Sequence, residues 1–242
     1  MGKPFQRFHY QVSSGRGKSP AHSKAGFKKE NFFWGNLSLH FPANMMNTVR
    51  AFIAIEMHPL VMDIIRRSQQ MLRSGDIHLR WVRPENIHLT LRFLGDISTD
   101  AIDGIRYALE QAAANTPSFF LRVKGAGVFP SPARPRVVWL GLDGQLHLLE
   151  ELYGRLSTLL SEQGISLENR PFRGHLTIGR ARGRLDAERL KSRLAELRAI
   201  ESRPFQADRL CLFKSDLTPR GAIYTPLVQV RTGGGTFSQS TV

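Results

Sequence analysis

The sequence predicts an α+β fold: two similar lobes of mostly antiparallel sheet, helices packed outside, and a cleft where the lobes face each other. Three observations carry that expectation. Short β-branched and aromatic runs intersperse with longer stretches of helical apolar period along most of the chain. The pattern His-Leu-Thr-aliphatic occurs twice, once within IHLTLRFLG (87–95) and once within GHLTIGR (174–180). Each copy falls in its own half of the strands and helices, so lobes related by an approximate two-fold explain the repeat.

The elements are taken in chain order. VRAFIAIE (49–56) is rich in β-branched and aromatic residues and reads as a strand. A helix over about 58–74 shows an apolar stripe through Leu60, Val61, Ile64, Ile65, Met71 and Leu72. Strands are expected near 79–83 and 87–93, then a helix over 99–114 with Ser98 or Thr99 as its N-cap. SFFLRVKGAGVF (118–129) reads as a strand closed by the Pro-rich loop PSPARP, and RVVWLGL (136–142) resumes strand character. A long helix over 145–163 buries Leu146, Leu149, Tyr153, Leu156 and Leu160 and stops at Gly164. The His175 strand, a helix near 186–199 and strands near 204–213 and 222–230 complete the body.

Three segments result: a basic, disordered extension over 1–47, a folded body over 48–230 and a loose tail over 231–242. The extension sets seven Lys and Arg against Glu30 alone, without any helical or strand period. Its aromatics interleave with cations, a mixture that suits nucleic acid, and a targeting peptide is a second reading. The Met45–Met46 pair just before the first strand favours a third, an upstream stretch brought in by an early start.

The formal net charge of +14 over 242 residues favours a polyanionic partner, nucleic acid or a phosphate-bearing ligand ahead of a membrane, with a solvated basic surface as the alternative. Cys211 is the single cysteine, which excludes an intramolecular disulfide and a thiolate metal cluster, and its setting in RLCLF reads as a core thiol. No apolar run approaches a membrane span, so the expectation is a cytoplasmic protein with no membrane partner.

Alternation along a strand sets Ile87, Leu89, Leu91 and Phe93 on one face and His88, Thr90 and Arg92 on the other. In the second copy Leu176 and Ile178 oppose His175 and Thr177. Each strand thus presents an imidazole beside a hydroxyl. Two such pairs across a cleft suit displacement at a phosphodiester, which needs a base on one side of phosphorus and an acid on the other. Histidine serves either role near neutrality, and Thr hydroxyls can donate to phosphate oxygens. No His/Asp/Glu cluster has metal-ligand spacing, so neither metal nor cofactor is expected. The remaining His residues read as structural or solvated.

These motifs resemble the 2H phosphoesterase superfamily, and specifically its RNA 2′,3′-cyclic phosphodiesterase branch, also called 2′–5′ RNA ligases. The resemblance spans about 49–230 and includes RAFIAIE, RWVRPENIHLTLRFLGD, VFPSPARPRVVWLGL, RPFRGHLTIGR and LFKSDLTPRGAIYTPL. It implies a bilobal fold with a central groove, metal-independent chemistry and a substrate of RNA with 2′,3′-cyclic phosphate ends, tRNA fragments among them. Position by position it implies His88 as general acid, His175 as general base, and Thr90, Thr177 and Arg180 as phosphate-binding groups. Phe52 matches an aromatic near the nucleobase, although a core strand position explains it equally well. Arg136, with Arg134, is a candidate for the RNA path. Gly174 stands where the family commonly has Pro before the second His. The expected product is a 2′-phosphomonoester, made by a monomer. Joining of cyclic-phosphate and 5′-hydroxyl ends is the alternative that the same residues serve, and capture of RNA ends without turnover is the non-enzymatic one.

Overall fold

The β-branched run near the start of the body forms strand β1 (Thr48–Glu56), with Ala51 through Ile55 fully or almost fully buried. The computed structural model describes residues 47–168, 171–219 and 221–233, all of which belong to one unit of the chain. The expectations for 1–46 and 234–242 lie outside the described residues. After β1 a single 3-10 turn (Pro59–Val61) leads into helix α1 (Met62–Ser74). His58 opens that turn, its Nδ1 accepting from the Leu60 N–H at 3.2 Å, as a polar N-cap does.

Strand β2 (Leu79–Trp81) and the first motif strand β3 (His88–Ser98) follow. The Ser98 hydroxyl accepts from the Asp100 N–H and caps the turn ahead of helix α2 (Ile102–Ala114). Next come strands β4 (Phe120–Phe129) and β5 (Val137–Gly144), helix α3 (Leu146–Glu162) and the second motif strand β6 (Leu176–Ala181). Helix α4 (Ala187–Leu197) starts at Asp186, whose carboxylate accepts from the Arg189 N–H at 3.0 Å. Strands β7 (Phe205–Gln206), β8 (Arg209–Thr218) and β9 (Gly221–Arg231) end the described chain.

The nine strands among the described residues join one sheet in the order β7-β4-β5-β6-β3-β1-β8-β9, with β2 also paired to β6. The two motif strands are therefore central neighbours, each heading a lobe of four strands on that path. The lobes are not simple halves of the sequence. Strands β8 and β9 return to the lobe of β1 and β3, whereas β4 to β7 build the other. The crossing falls inside the run expected as one strand over 204–213. Phe205–Gln206 pairs with β4, but Arg209 onward pairs with β9 and, from Leu210, with β1. Ala207 and Asp208 carry the chain across, and nothing in the apolar run around them marks the break.

Helices α2 and α3 pack together, as do α1 and α4, against one face of the sheet. Leu149, Leu152, Leu156 and Leu160 line one side of α3 and join Leu89, Leu140, Leu176 and Ile178 in a single core. Burying a side chain of this size is worth about 1.5–3 kcal/mol, so this face fixes how the sheet sits. The opposite face is left for other work.

Candidate active site

The central strands meet at one antiparallel pair, Leu89 opposite Leu176, the middle residue of each His-Leu-Thr. Both leucines are fully buried toward the helices, so their neighbours in each strand must project the other way. The register then sets His88 across from Thr177 and Thr90 across from His175. Directly opposed side chains have Cβ atoms about 5 Å apart and diagonal ones about 7–8 Å, which spaces the two imidazoles to flank one phosphate. Neither Thr hydroxyl has a hydrogen-bond partner among the described residues, so both are available to a ligand.

The residue after each Thr is an extra one. On β3, Ile53 and Ala54 of β1 face Arg92 and Thr90, leaving Leu91 without a partner on that strand. On β6, Val138 and Trp139 of β5 face Gly179 and Thr177, leaving Ile178 in the same position. These are β-bulges, which break alternation and re-aim the side chains beyond them. Arg180, which strict alternation from His175 sends to the helices, shares the motif face instead. Arg92, expected beside Thr90, does the reverse. Its guanidinium lies 4.0 Å over the Tyr153 ring on α3, and its Nε donates to Ser157 Oγ at 2.9 Å. Phe93, expected on the core face, comes round to the cleft. The Ile178 carbonyl continues the β2–β6 register by accepting from the Val82 N–H at 3.2 Å, and it also accepts from buried Gln69 Nε2 at 3.0 Å, a donor that is costly to leave unpaired.

Each imidazole is oriented by a carbonyl two residues upstream. His88 Nδ1 lies 2.8 Å from the Asn86 carbonyl oxygen, and His175 Nδ1 lies 2.7 Å from that of Arg173. A carbonyl only accepts, so Nδ1 carries the proton and Nε2 is the working nitrogen. His88 stacks on Phe52 with ring centroids 4.6 Å apart and meets Tyr224 edge-on at 5.3 Å. That desolvation, with the nearby charges of Arg180 and His175, brings its pKa down to about 4, against a smaller upward pull from the Asn86 carbonyl. Burial also lowers His175, with Arg180 adding to the effect. Both rings are therefore neutral near pH 7, and Arg180 is close enough to bias each.

A sequence model of the LigT-like phosphoesterase family matches this chain over 57–139 and 141–224, with one motif in each segment. The chain belongs to that family. The RNA 2′,3′-cyclic phosphodiesterase of Methanothermobacter thermautotrophicus is 34% identical over 182 residues, covering 74% of this chain and 96% of that protein. Its namesake from Thermotoga maritima is 35% identical over 190 residues, covering 77% and 97%. Among solved structures, TT0787 of Thermus thermophilus superposes with a TM-score of 0.60 at 24% identity, covering 77% of this chain and all of that one. Escherichia coli LigT in its apo form gives 0.59 at 23% identity, covering 77% and 98%. These two structures share the fold.

The other expected residues fall into place around this LigT-like centre. Phe52 is 1% exposed and lies beneath the His88 ring rather than at the cleft surface, so it meets a ligand only through that imidazole. Arg136 is exposed, and its carbonyl accepts from the Ala181 N–H at 2.8 Å next to Arg180. Arg134 sits in the turn before it. Gly174 is confined by space rather than by φ, because a Cβ there meets Leu149 Cδ2 at 3.2 Å. Cys211 is buried, and desolvation pushes its thiol well above the ordinary range. Among the described residues no three His, Cys, Asp or Glu gather as metal ligands, and no helix is long and apolar enough to cross a membrane.

Sequence reasoning missed Tyr224, Asn86 and Gln69. Tyr224 reaches the site from β9, and burial raises its pKa while Arg180 pulls it back. Asn86 orients His88 through its carbonyl, and its Nδ2 donates to the Ala222 carbonyl at 2.9 Å, tying the β8–β9 hairpin to the motif. Arg80 stands directly across from Arg180 in the β2–β6 register, and opposed like charges repel unless an anion lies near. The only signal for Asn86 was its place two residues before a motif His.

Proposed function

We propose that this protein hydrolyses RNA 2′,3′-cyclic phosphate ends to 2′-phosphomonoesters by acid–base catalysis between His88 and His175. The observation that carries the reading is the pairing of Leu89 with Leu176, which groups two imidazoles and two free hydroxyls on one face. Relatives named RNA 2′,3′-cyclic phosphodiesterase, at 33–35% identity and nearly full length, support the same substrate. In the step, His175 Nε2 takes a proton from water as its oxygen attacks phosphorus. The P–O3′ bond breaks in line, and His88 Nε2–H protonates the leaving O3′. Thr90, Thr177 and Arg180 stabilise the charge that gathers on the non-bridging oxygens. The step uses no metal or cofactor. The formal charge of +14 suits an RNA substrate such as a tRNA fragment, acted on by a monomer in the cytoplasm, with Arg136 beside the strand's path.

The test is a short 3′-labelled RNA ending in a 2′,3′-cyclic phosphate, incubated with the protein in EDTA. A product of one added water that phosphatase then dephosphorylates supports the reading, as does its loss in His88→Ala and His175→Ala. An unchanged substrate overturns it. A joined product with an added 5′-hydroxyl RNA, in place of hydrolysis, identifies a ligase.

A further inference from the structure

Strand β2 leads through the Pro84–Asn86 turn into β3, and because β5 pairs along one side of β6, both β2 and β3 share the other. His88 of β3 lies across from Thr177, and Arg80 of β2 lies across from Arg180, three residues further along. The neighbours of Arg80 belong to the helix face. Leu79 is buried against Gly179, and Trp81 lies 4.9 Å beneath the Arg73 guanidinium of α1. Alternation therefore sends Arg80 to the motif face.

Two guanidinium groups thus meet beside the reactive quartet. Directly opposed residues have Cβ atoms about 5 Å apart, and neither Arg has an ion-pair or hydrogen-bond partner among the described residues. On its other side Arg180 faces Val137 of β5, which brings no charge. A 2′,3′-cyclic phosphate carries one negative charge, and Arg180 is placed to meet it. Its charge lowers the pKa of His88, His175 and Tyr224, whereas that of Arg80 acts on none of the three. Arg80 therefore stands past the reacting phosphate. The other anions of an RNA end are the phosphodiester links on its 5′ side, the first of which hangs from O5′ of the terminal ribose.

We infer that Arg80 binds the phosphodiester joining the terminal nucleotide to its 5′ neighbour, so that the site takes the end of an RNA chain in preference to a free nucleoside cyclic phosphate. The inference rests on the phosphodiesterase reading for its ligand, though not on turnover. Such a contact fixes the register of the strand and reads no base. Arg180 holds the phosphate that reacts, and Arg80 holds the next one along the chain.

The experiment compares wild type, Arg80→Ala, Arg80→Lys and a control on α1, Arg66→Ala, whose ion-pair partner is Asp63. One ligand is the dinucleotide adenylyl-(3′→5′)-adenosine bearing a terminal 2′-phosphate. The other is the same dinucleotide with an uncharged methylphosphonate as its internal link, so the two differ by one charge at one phosphorus. Calorimetry measures their binding, and turnover is followed with the corresponding 2′,3′-cyclic phosphates. Wild type favours the charged link by about five- to thirty-fold in Kd and kcat/KM, the worth of one charge-assisted contact. Arg80→Ala brings that ratio to within about two-fold by weakening the charged ligand alone, and Arg80→Lys, a point charge in place of a fork, restores part of it. Arg66→Ala leaves the ratio unchanged.

Equal losses on both dinucleotides in Arg80→Ala would put Arg80 on the reacting phosphate and overturn the inference. So would a ratio that Arg80→Ala leaves unchanged, or a wild type indifferent to the link. An equal fall in Arg66→Ala would show the general field of the protein rather than a contact, and overturns it too. A wild type that binds with the expected ratio yet hydrolyses nothing sinks the hydrolase reading while the ratio still decides Arg80.

Discussion

Acidification should titrate His88 against the fold. In the native protein its imidazole is desolvated between Phe52 and Tyr224 and sits near Arg180 and His175, which brings its pKa from 6.5 to about 4. In the unfolded chain the ordinary value returns. Between these values the unfolded state binds more protons, so stability rises with pH across the window. The contribution is fully present above about pH 6.5 and is lost as the pH falls toward 4. At about 1.4 kcal/mol per pH unit, the gap corresponds to on the order of 3 kcal/mol. The assay is urea unfolding of wild type and His88→Gln at fixed ionic strength from pH 8 to 4.5. Carboxylates contribute alike to both, so the variant should lose less stability on acidification by roughly 2–3 kcal/mol. If both proteins lose stability in parallel, the desolvation of His88 is wrong.

The same low pKa has a consequence for catalysis. An acid that is neutral in the free enzyme must gain a proton when the anionic substrate binds, since a nearby negative charge favours imidazolium. Calorimetry in two buffers of different ionisation enthalpy should then register close to one proton taken up at pH 7. Zero uptake removes His88 from the acid's role.

Replacing either motif His with Ala should lower kcat by about 10²–10⁴, and the double variant should fall short of the product of the two, because groups acting as a unit are not additive. Thr90→Ala and Thr177→Ala should cost less; stopped assays on a cyclic-phosphate RNA rank all five. Arg92→Ala should destabilise the protein by about 1–3 kcal/mol through its lost stack and hydrogen bonds yet keep kcat/KM within two-fold, as paired unfolding and activity measurements check. Activity should survive dialysis against EDTA, and its restoration only by a divalent ion would overturn metal-free chemistry. A chain beginning at Met46 should melt cooperatively with unchanged kcat but bind long RNA less tightly in salt titrations.

The elements were legible because their apolar periods are strong: the stripe of α3 and the run of β1 stand where their patterns place them. The paired imidazoles were legible because a repeat of Leu between His and Thr fixes their face without knowledge of the partner strand. The positions beyond each Thr were not. Leu91 and Ile178 are ordinary strand residues, and although Gly179 follows the bulge on β6, no Gly or Pro adjoins the one at Leu91, so strict alternation puts Arg92 in the cleft and Phe93 in the core. Gln69 was hidden for another reason. Its acceptor on Ile178 is 109 residues away, and only the folded register brings them together. Tyr224 likewise depends on β8 and β9 returning to the first lobe.

The surplus residue in each motif strand also makes the make-up of the cleft a matter of phase. Beyond the Thr a strand carries two latent sets of side chains, one for each face, and the bulge selects which set faces the cleft. A one-residue slip that irons out the bulge on β3 would bring Arg92 round in place of Phe93. The same slip on β6 would bring Gly179 in place of Arg180, while every residue from His to Thr kept its place. Deleting Leu91 or Ile178 irons out the bulge too, but it removes the slip along with the surplus residue, so Phe93 and Arg180 stay where they are. The positions from His to Thr are therefore uncoupled from those beyond the bulge, and a shift of phase, without any new side chain, changes the charge that the cleft presents.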